Sequence, residues 1–208
     1  MNRIGRFALV MLVACSVGMA VGVAWSQEKM EMPKPGPEVK ALAPVFGVNG
    51  TWHGKVEAGA TGPDSKETVS HGKAMCHPML GGMWYACDVE DTWGTGRDAM
   101  TWKGHMTVGY DLGSKSYKAS VVDNMGTITM FDGTLNGTTF ALETPNEVMV
   151  MGAMMKDRLT WDFSDPKAIK YTDDHKASDG DWKLCESATM TPLMAKPAAK
   201  PVAATTKE

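Results

Sequence analysis

The sequence has none of the short motifs that assign a reaction. Its 208 residues contain no Ser/His/Asp set, no phosphate-binding loop and no closely spaced group of metal ligands. None of the five histidines lies at a metal-binding spacing from another. These absences exclude an assignment by motif, although a site assembled from distant residues carries no such motif. We therefore predict a protein without catalysis and expect its histidines on the surface.

The first residues are typical of an export signal. Two positive charges in the first six residues precede an apolar run over residues 7–24. Ala24-Trp25-Ser26 offers small residues for cleavage before Gln27, so residues 1–26 are predicted to be a signal peptide. Two alternatives stay open, a lipoprotein modified at Cys15 and an uncleaved N-terminal anchor. The protein is expected in the periplasm or outside the cell, and at a membrane only under those alternatives.

Charge and cysteine content limit the partners and the compartment. Without Arg3 and Arg6, 19 basic residues remain against 24 acidic residues, a net charge of −5. A mildly acidic chain is a poor partner for nucleic acid or for anionic membranes. Three cysteines follow the predicted signal, and an oxidising compartment favours one disulfide with one remaining thiol. The oligomeric state has no signature in the sequence.

The folded body is predicted over residues 38–191. Residues 27–37 are rich in proline and indicate an extended linker, and residues 192–208, rich in Ala, Lys, Pro and Thr, are expected to be disordered. Only Glu38–Phe46 has a helical pattern, and Pro44 limits this helix to one or two turns.

Eleven short segments of alternating character fill the rest of the body. Their regular spacing, with turn residues between them, predicts an antiparallel all-β sandwich or barrel. The segments are 50–57, 67–77, 83–92, 100–110, 117–123, 127–131, 138–142, 148–151, 158–163, 168–172 and 182–190.

One hairpin can be registered from the sequence. If Gly81-Gly82 is a two-residue turn, the numbers of opposed residues sum to 163. Cys76 then faces Cys87 on the apolar face, and Lys73 faces Glu90 on the other. This pairing predicts a Cys76–Cys87 disulfide, within the Cα separation of ~4.4–6.8 Å that the bond requires. Pro78 is expected to disturb the pairing and to force a bulge.

The same alternation predicts a wide aromatic interior. In the segment 100–110 it directs the even-numbered residues inward and places Lys103, His105 and Thr107 outward. Leu159, Trp161 and Phe163 add to the interior from a later strand. The residues predicted to bind a ligand there are Tyr85, Trp102, Met106, Val108, Tyr110 and Trp161.

Several of these segments resemble an uncharacterised bacterial family, domain of unknown function 1579. The resemblance lies in Gly50-Thr-Trp52, Gly81-Gly82, Gly104–Asp111, Asp123–Thr127 and Asp179-Gly180. It implies a secreted, lipocalin-like antiparallel β-barrel and no established enzymatic activity. The Gly50-Thr-Trp52 triplet is also similar to the Gly-x-Trp of lipocalins, in which the Trp closes the barrel floor beside the N-terminal helix. Calycin relatives that bind haem need an inward histidine, and the predicted registers supply none.

A soft-metal site is the alternative to an apolar ligand. Methionine is abundant, and thioethers near cysteine in an exported protein suggest copper through Met149, Met151, Cys76 and Cys87. Against copper, methionine also fills irregular cores and adaptable ligand surfaces, and Cys76 and Cys87 fit a structural disulfide. Cys185 is expected on the polar side of its strand as an unreactive thiol, and Asp173-Asp174-His175 as a solvated charge run in a turn.

Together these patterns favour an exported barrel of about ten strands with a short N-terminal helix. It is predicted to bind a small apolar molecule without catalysis and without a cofactor. Copper binding and a purely structural role in the cell envelope stay as alternatives.

Overall fold

The protein is a closed ten-stranded antiparallel barrel, which confirms the predicted fold class. A computed structural model describes residues 32–193, so the predicted signal peptide, Cys15, residues 27–31 of the predicted linker and the tail from residue 194 lie outside the described residues. Among the described residues, those from 34 to 193 belong to one compact unit. None of the described helices is long and apolar enough to cross a bilayer.

Two short helices precede the barrel, α1 (Pro37–Ala41) and α2 (Ala43–Phe46). The strands are β1 (Gly50–Val56), β2 (Thr68–Met79), β3 (Trp84–Trp93), β4 (Met100–Asp111), β5 (Ser116–Asp123), β6 (Ile128–Asn136), β7 (Thr139–Glu143), β8 (Val148–Val150), β9 (Ala153–Asp162), β10 (Ile169–Lys176) and β11 (Lys183–Pro192). Short 3-10 turns occupy Leu80–Gly82 and Gly96–Asp98.

Neighbouring strands in sequence are mostly neighbours in the barrel. The order runs from β1 through β7 to β9, β10 and β11, and β11 pairs with β1 to close the ring. The three-residue strand β8 pairs only with the start of β9 and forms a hairpin that extends beyond the barrel wall. Closure leaves no free sheet edge along the ten strands, apart from their overhanging ends.

The hairpin of β2 and β3 has the predicted register, with Cys76 opposite Cys87 and Lys73 opposite Glu90. A turn over residues 80–83 keeps the same sum of residue numbers as the expected two-residue turn. The predicted bulge at Pro78 is wrong, because Pro78 pairs with Tyr85 without a shift. The amide of Cys76, two residues earlier, donates to Asn49 Oδ1 at 2.7 Å and thus points away from β3. The nitrogen of Pro78 lies on the same side, where β1 has ended, so no bond of the ladder is lost.

The two helices close one end of the barrel. Val39, Leu42, Val45 and Phe46 are all buried, and Tyr117 Oη donates to the carbonyl of Glu38 at 3.2 Å. The predicted helix is confirmed, although it breaks into two short turns at Leu42.

Aromatic rings hold the helices against the barrel. Phe46 contacts Phe140 and Trp161 edge to face, with ring centroids 5.7 and 5.2 Å apart. Because Phe140 lies near the start of β7 and Trp161 near the end of β9, this contact marks the closed end of the barrel. The opposite end, hereafter the open end, carries the β5–β6 turn and the β8–β9 hairpin.

The structure joins Cys76 and Cys87 in a disulfide, with the two Cα atoms 4.1 Å apart, slightly closer than the expected range. Their pair belongs to the closer of the two pair types in an antiparallel ladder. The third cysteine of the described residues, Cys185, is free and buried.

The disulfide is expected to stabilise the fold modestly. Replacing both cysteines with alanine should lower the free energy of unfolding by ~2–3 kcal/mol, because the bond closes a loop of 11 residues. Urea unfolding of the variant and of the native protein with and without dithiothreitol measures this difference. Reduction should lower the midpoint of the native protein and leave the double variant unchanged. A native midpoint that does not respond to reduction would contradict the prediction.

Candidate functional site

The barrel encloses a cavity of about 500 Å³ that reaches from α2 to the open end. Its inner part is apolar, bounded by Val45, Phe46, Met106, Phe131 and Met190. Towards the open end the lining includes Met125, Met149 and Met151, which are half exposed to solvent. The cavity therefore has an apolar inner chamber and a methionine rim at its mouth.

Glycines next to the tryptophans preserve this space. A Cβ on Gly72 would lie 2.3 Å from the Trp52 ring, and a Cβ on Gly104 would lie 2.3 Å from the Trp102 ring. Because these glycines have no side chain, each indole packs against the backbone next to it. Both rings still line the cavity without filling it.

The six residues predicted to bind a ligand separate into two groups. Trp102, Met106 and Trp161 line the cavity. The others, Tyr85, Val108 and Tyr110, lie outside the lining and pack in the hydrophobic core. The inward direction predicted for β4 is correct, but its later residues run towards the closed end, where helices and aromatic rings fill the space. Ligand binding by any of the six stays a prediction.

The four residues of the copper alternative do not form one set of free metal ligands. Cys76 and Cys87 are bonded to each other, so neither offers a thiolate. Met149 lies in β8 opposite Met154, and Met151 lies in the adjoining turn. Only thioethers of the proposed set remain as free ligands.

Sequence reasoning missed the main polar feature of the cavity, which we call the acidic cluster. Its members come from strands β3, β9, β10 and β11 and all line the cavity: Asp91, Asp157, Asp173, His175 and Glu186. The expectation of a solvated turn at Asp173-Asp174-His175 is wrong, because β10 continues to Lys176. The expectation that all histidines lie on the surface is wrong for His175, whose side chain is only 11% exposed.

Tryptophan side chains anchor one part of the acidic cluster. Trp52 Nε1 donates to Asp91 Oδ1 at 3.2 Å, and Trp93 Nε1 donates to Asp91 Oδ2 at 2.9 Å. Burial raises the pKa of Asp91, while the hydrogen bonds from the two indoles and from Glu186 oppose this rise. The tryptophan of the Gly-x-Trp triplet thus binds a buried carboxyl and also lines the cavity.

A second part of the cluster is a compact triad of Asp157, Asp173 and His175. One ligand atom from each lies within 4.8 Å of the others. His175 Nε2 is 3.2 Å from Asp173 Oδ1, a charge contact whose alignment is too poor for a hydrogen bond. Two carboxylates and an imidazole are ligand types that a divalent cation such as Zn²⁺ accepts.

Three carboxylate oxygens of the cluster are cut off from solvent and have no hydrogen-bond partner among the described residues. They are Asp157 Oδ1, Asp173 Oδ1 and Glu186 Oε1. Buried polar atoms are almost always paired in native proteins, so unpaired ones need an explanation.

Burial and mutual repulsion change the protonation of this cluster. Burial, and then the neighbouring Asp91, raise the pKa of Glu186 to about 8. Burial, and then Asp173, raise the pKa of Asp157 well above its ordinary range. Burial by itself would lower the pKa of His175, but its contacts with Asp173 and Cys185 raise it to about 11. The cluster therefore holds extra protons at neutral pH.

Cys185 is at the edge of this cluster and not on a polar face. The pairing of β10 with β11 shifts between Asp173 and Asp174, which leaves Cys185 without an opposed residue. The shift is typical of a β-bulge, in which the side-chain alternation is interrupted. The predicted polar position followed from uninterrupted alternation and is wrong for this reason.

Comparison with known proteins supports the fold and assigns no activity. The model of a family described as "Protein of unknown function (DUF1579)" matches residues 34–191. The chain matches no curated protein. Among solved structures it is similar to the crystal structure of Rv2717c from M. tuberculosis, at 11% identity and a TM-score of 0.50. That match covers 77% of this chain and 100% of the other, and at this identity it shows the fold alone.

The acidic cluster should make the protein less stable as pH rises. Between pH 4.5 and about 8, folded Glu186 holds a proton that the unfolded chain releases, so its contribution is full below pH 4.5 and is lost as pH rises through 8. The raised pKa values of Asp91, Asp157 and His175 act in the same direction. The free energy of unfolding should fall by ~2–5 kcal/mol between about pH 5 and pH 9, since each unit of pKa shift corresponds to ~1.4 kcal/mol.

Urea unfolding of Glu186→Gln across this pH range tests the assignment. The variant keeps a neutral group at position 186, so its stability should fall less steeply than that of the native protein. Glu67→Gln, a matched change at an exposed side chain, should reproduce the native slope. A Glu186→Gln slope equal to the native one would show that Glu186 does not titrate as stated.

Proposed function

Because the chain belongs to the DUF1579 family of proteins of unknown function, which brings no activity with it, we propose a function from the cavity itself. The protein is a non-catalytic carrier that holds one small, mostly apolar molecule inside its barrel. The observation that carries this proposal is the apolar chamber of about 500 Å³ with a mouth at the open end. Cavities of ~300–1,000 Å³ with apolar walls and a few polar groups are typical of small-molecule sites.

Two features favour binding over catalysis. The only histidine that lines the cavity, among residues 32–193, has a pKa raised to about 11, so it is charged at neutral pH and is a poor general base. The free thiol of Cys185 is buried and lies outside the lining. We therefore propose that the bound molecule is released unchanged.

Export is part of the same proposal. The Cys76–Cys87 disulfide is typical of oxidising compartments, and the N-terminal sequence has the layout of a signal peptide. A carrier in the bacterial periplasm or outside the cell fits both observations.

Two adjacent valines of β5 offer a matched test. Val121 lines the cavity and is 7% exposed, whereas Val122 is 46% exposed on the outer face. The native protein should bind the neutral dye N-phenyl-1-naphthylamine with a saturable, 1:1 rise in fluorescence. Val121→Phe should weaken this binding at least fivefold because the added ring occupies the chamber, while Val122→Phe should bind as the native protein does.

Near-ultraviolet circular dichroism would verify that both variants keep the native packing. Dye binding that does not saturate in the native protein, or that both variants weaken equally, would refute a ligand site inside the barrel.

A further inference from the structure

The charges that line the cavity have one dominant sign. Among the described lining residues the ionisable side chains are five carboxyls, one imidazole and the phenol of Tyr171, and neither lysine nor arginine is present. Asp123 is the fifth carboxyl, and it accepts hydrogen bonds from Trp102 Nε1 at 3.2 Å and from Thr127 Oγ1 at 2.7 Å. An anionic ligand would therefore find no lysine or arginine to pair with, and ionised carboxyls such as Asp123 would repel it.

The position of the cluster separates a polar zone from the apolar chamber. His175 and Asp157 are opposed near the open end, at the ends of β10 and β9 that lie away from the helices. Asp173 and Glu186 are opposed next to them. A molecule with its apolar part in the inner chamber would thus bring its outer end to these carboxyls.

A wholly apolar, neutral ligand would not explain why the polar zone of the cavity contains several buried carboxyls. Glu186 lines the cavity but is only 3% exposed, and its Oε1 has no hydrogen-bond partner among the described residues, as is also true of Asp157 Oδ1 and Asp173 Oδ1. When these carboxyls lose their protons, their unpaired oxygens become acceptors that a group with several N–H donors and a positive charge would satisfy. An ammonium group has both properties, and it carries up to three donors.

Tryptophans beside the acids suit an organic cation better than a bare metal ion. Trp52 and Trp93 contact Asp91, and Trp102 contacts Asp123, so indoles line the cavity next to the carboxyls. Indole rings attract ammonium groups through their faces. A metal ion at the triad would bind three side chains only. Such an ion would not reach the apolar chamber, and the walls of the chamber would then have no role in binding.

The geometry points to a specific ligand class, an organic amine whose apolar body fills the inner chamber and whose ammonium group lies among Asp157, Asp173 and Glu186. This inference rests on the proposed function, because it requires a ligand inside the barrel. The bound cation takes the place of protons that the empty cluster holds, so binding at neutral pH releases protons to solvent.

Three probes with one chain length and different head groups test the inference. Octylamine, octan-1-ol and octanoate would each compete with N-phenyl-1-naphthylamine for the full-length protein at pH 7. Octylamine should displace the dye at a concentration at least tenfold lower than octan-1-ol, and octanoate should be the weakest competitor. Calorimetry in buffers of different ionisation enthalpy should register proton release with octylamine and none with octan-1-ol.

Two variants connect this preference with the cluster. Glu186→Gln should reduce the preference for octylamine over octan-1-ol at least fivefold and lower the number of protons released, with the affinity for octan-1-ol unchanged. Asp173→Asn serves the same purpose if the first variant does not fold. Asp88→Asn removes an exposed carboxyl on the outer face and should leave the preference and the proton release at native values.

The possible failures are distinguishable. Equal competition by all three probes would overturn the amine inference and leave the apolar carrier intact, whereas a dye that does not bind inside the barrel would overturn both. Stoichiometric binding of Zn²⁺ that Asp157→Asn abolishes, without any preference for octylamine, would identify the triad as a metal site and overturn the inference.

Discussion

The pairing of β11 with β1, which closes the ring, is the constraint on which the cavity depends. In a closed antiparallel barrel every second side chain must point inward, whatever its polarity. On β4 this rule places Trp102 and Met106 inside, and on β10 it places Tyr171, Asp173 and His175 inside. The acidic cluster is thus a direct consequence of strands that stay regular through charged residues. Burying those residues is costly, so the rest of the barrel must compensate.

Compensation comes from the closed end. Phe46, Phe140, Trp161 and Tyr171 form a chain of ring contacts with centroid separations of 5.2–6.1 Å, and the two helices seal it. Phe140 and Leu42 are completely buried there. The barrel therefore divides into a densely packed end that stabilises the fold and an open end that holds space, unpaired acceptors and solvent-accessible methionines. Such a division is common where a rigid scaffold carries a binding site.

Local patterns in the sequence sufficed for the strands and for one hairpin register. All eleven predicted segments are strands, and the Cys76–Cys87 pairing followed from turn residues, charge pairing and alternation together. The acidic cluster was not predicted because its side chains come from four strands. Local sequence patterns predict individual strands, but they do not give the order of the strands around a barrel. Within β10 a signal existed, since Ile169, Tyr171, Asp173 and His175 keep a period of two. The low strand preference of aspartate and its frequency in turns favoured ending the strand at Thr172. Cys185 was misplaced because a bulge leaves no mark in the residue pattern around it.

The positions of the methionines agree with this division, and they indicate that the methionines have two different roles. Met106 and Met190 are buried, as fillers of an irregular core are, but Met125, Met149 and Met154 are more than half exposed around the mouth or the hairpin that flanks it. In the turn between β8 and β9, Met151 and Gly152 have φ angles of +47° and +87°, where two-residue turns favour Asn-Gly. A methionine at a position that prefers asparagine gives up some hairpin stability and gains an unbranched, polarisable side chain at the cavity entrance. A rim of such side chains can adapt to ligands of different shape, while selectivity depends on the fixed carboxyls below it.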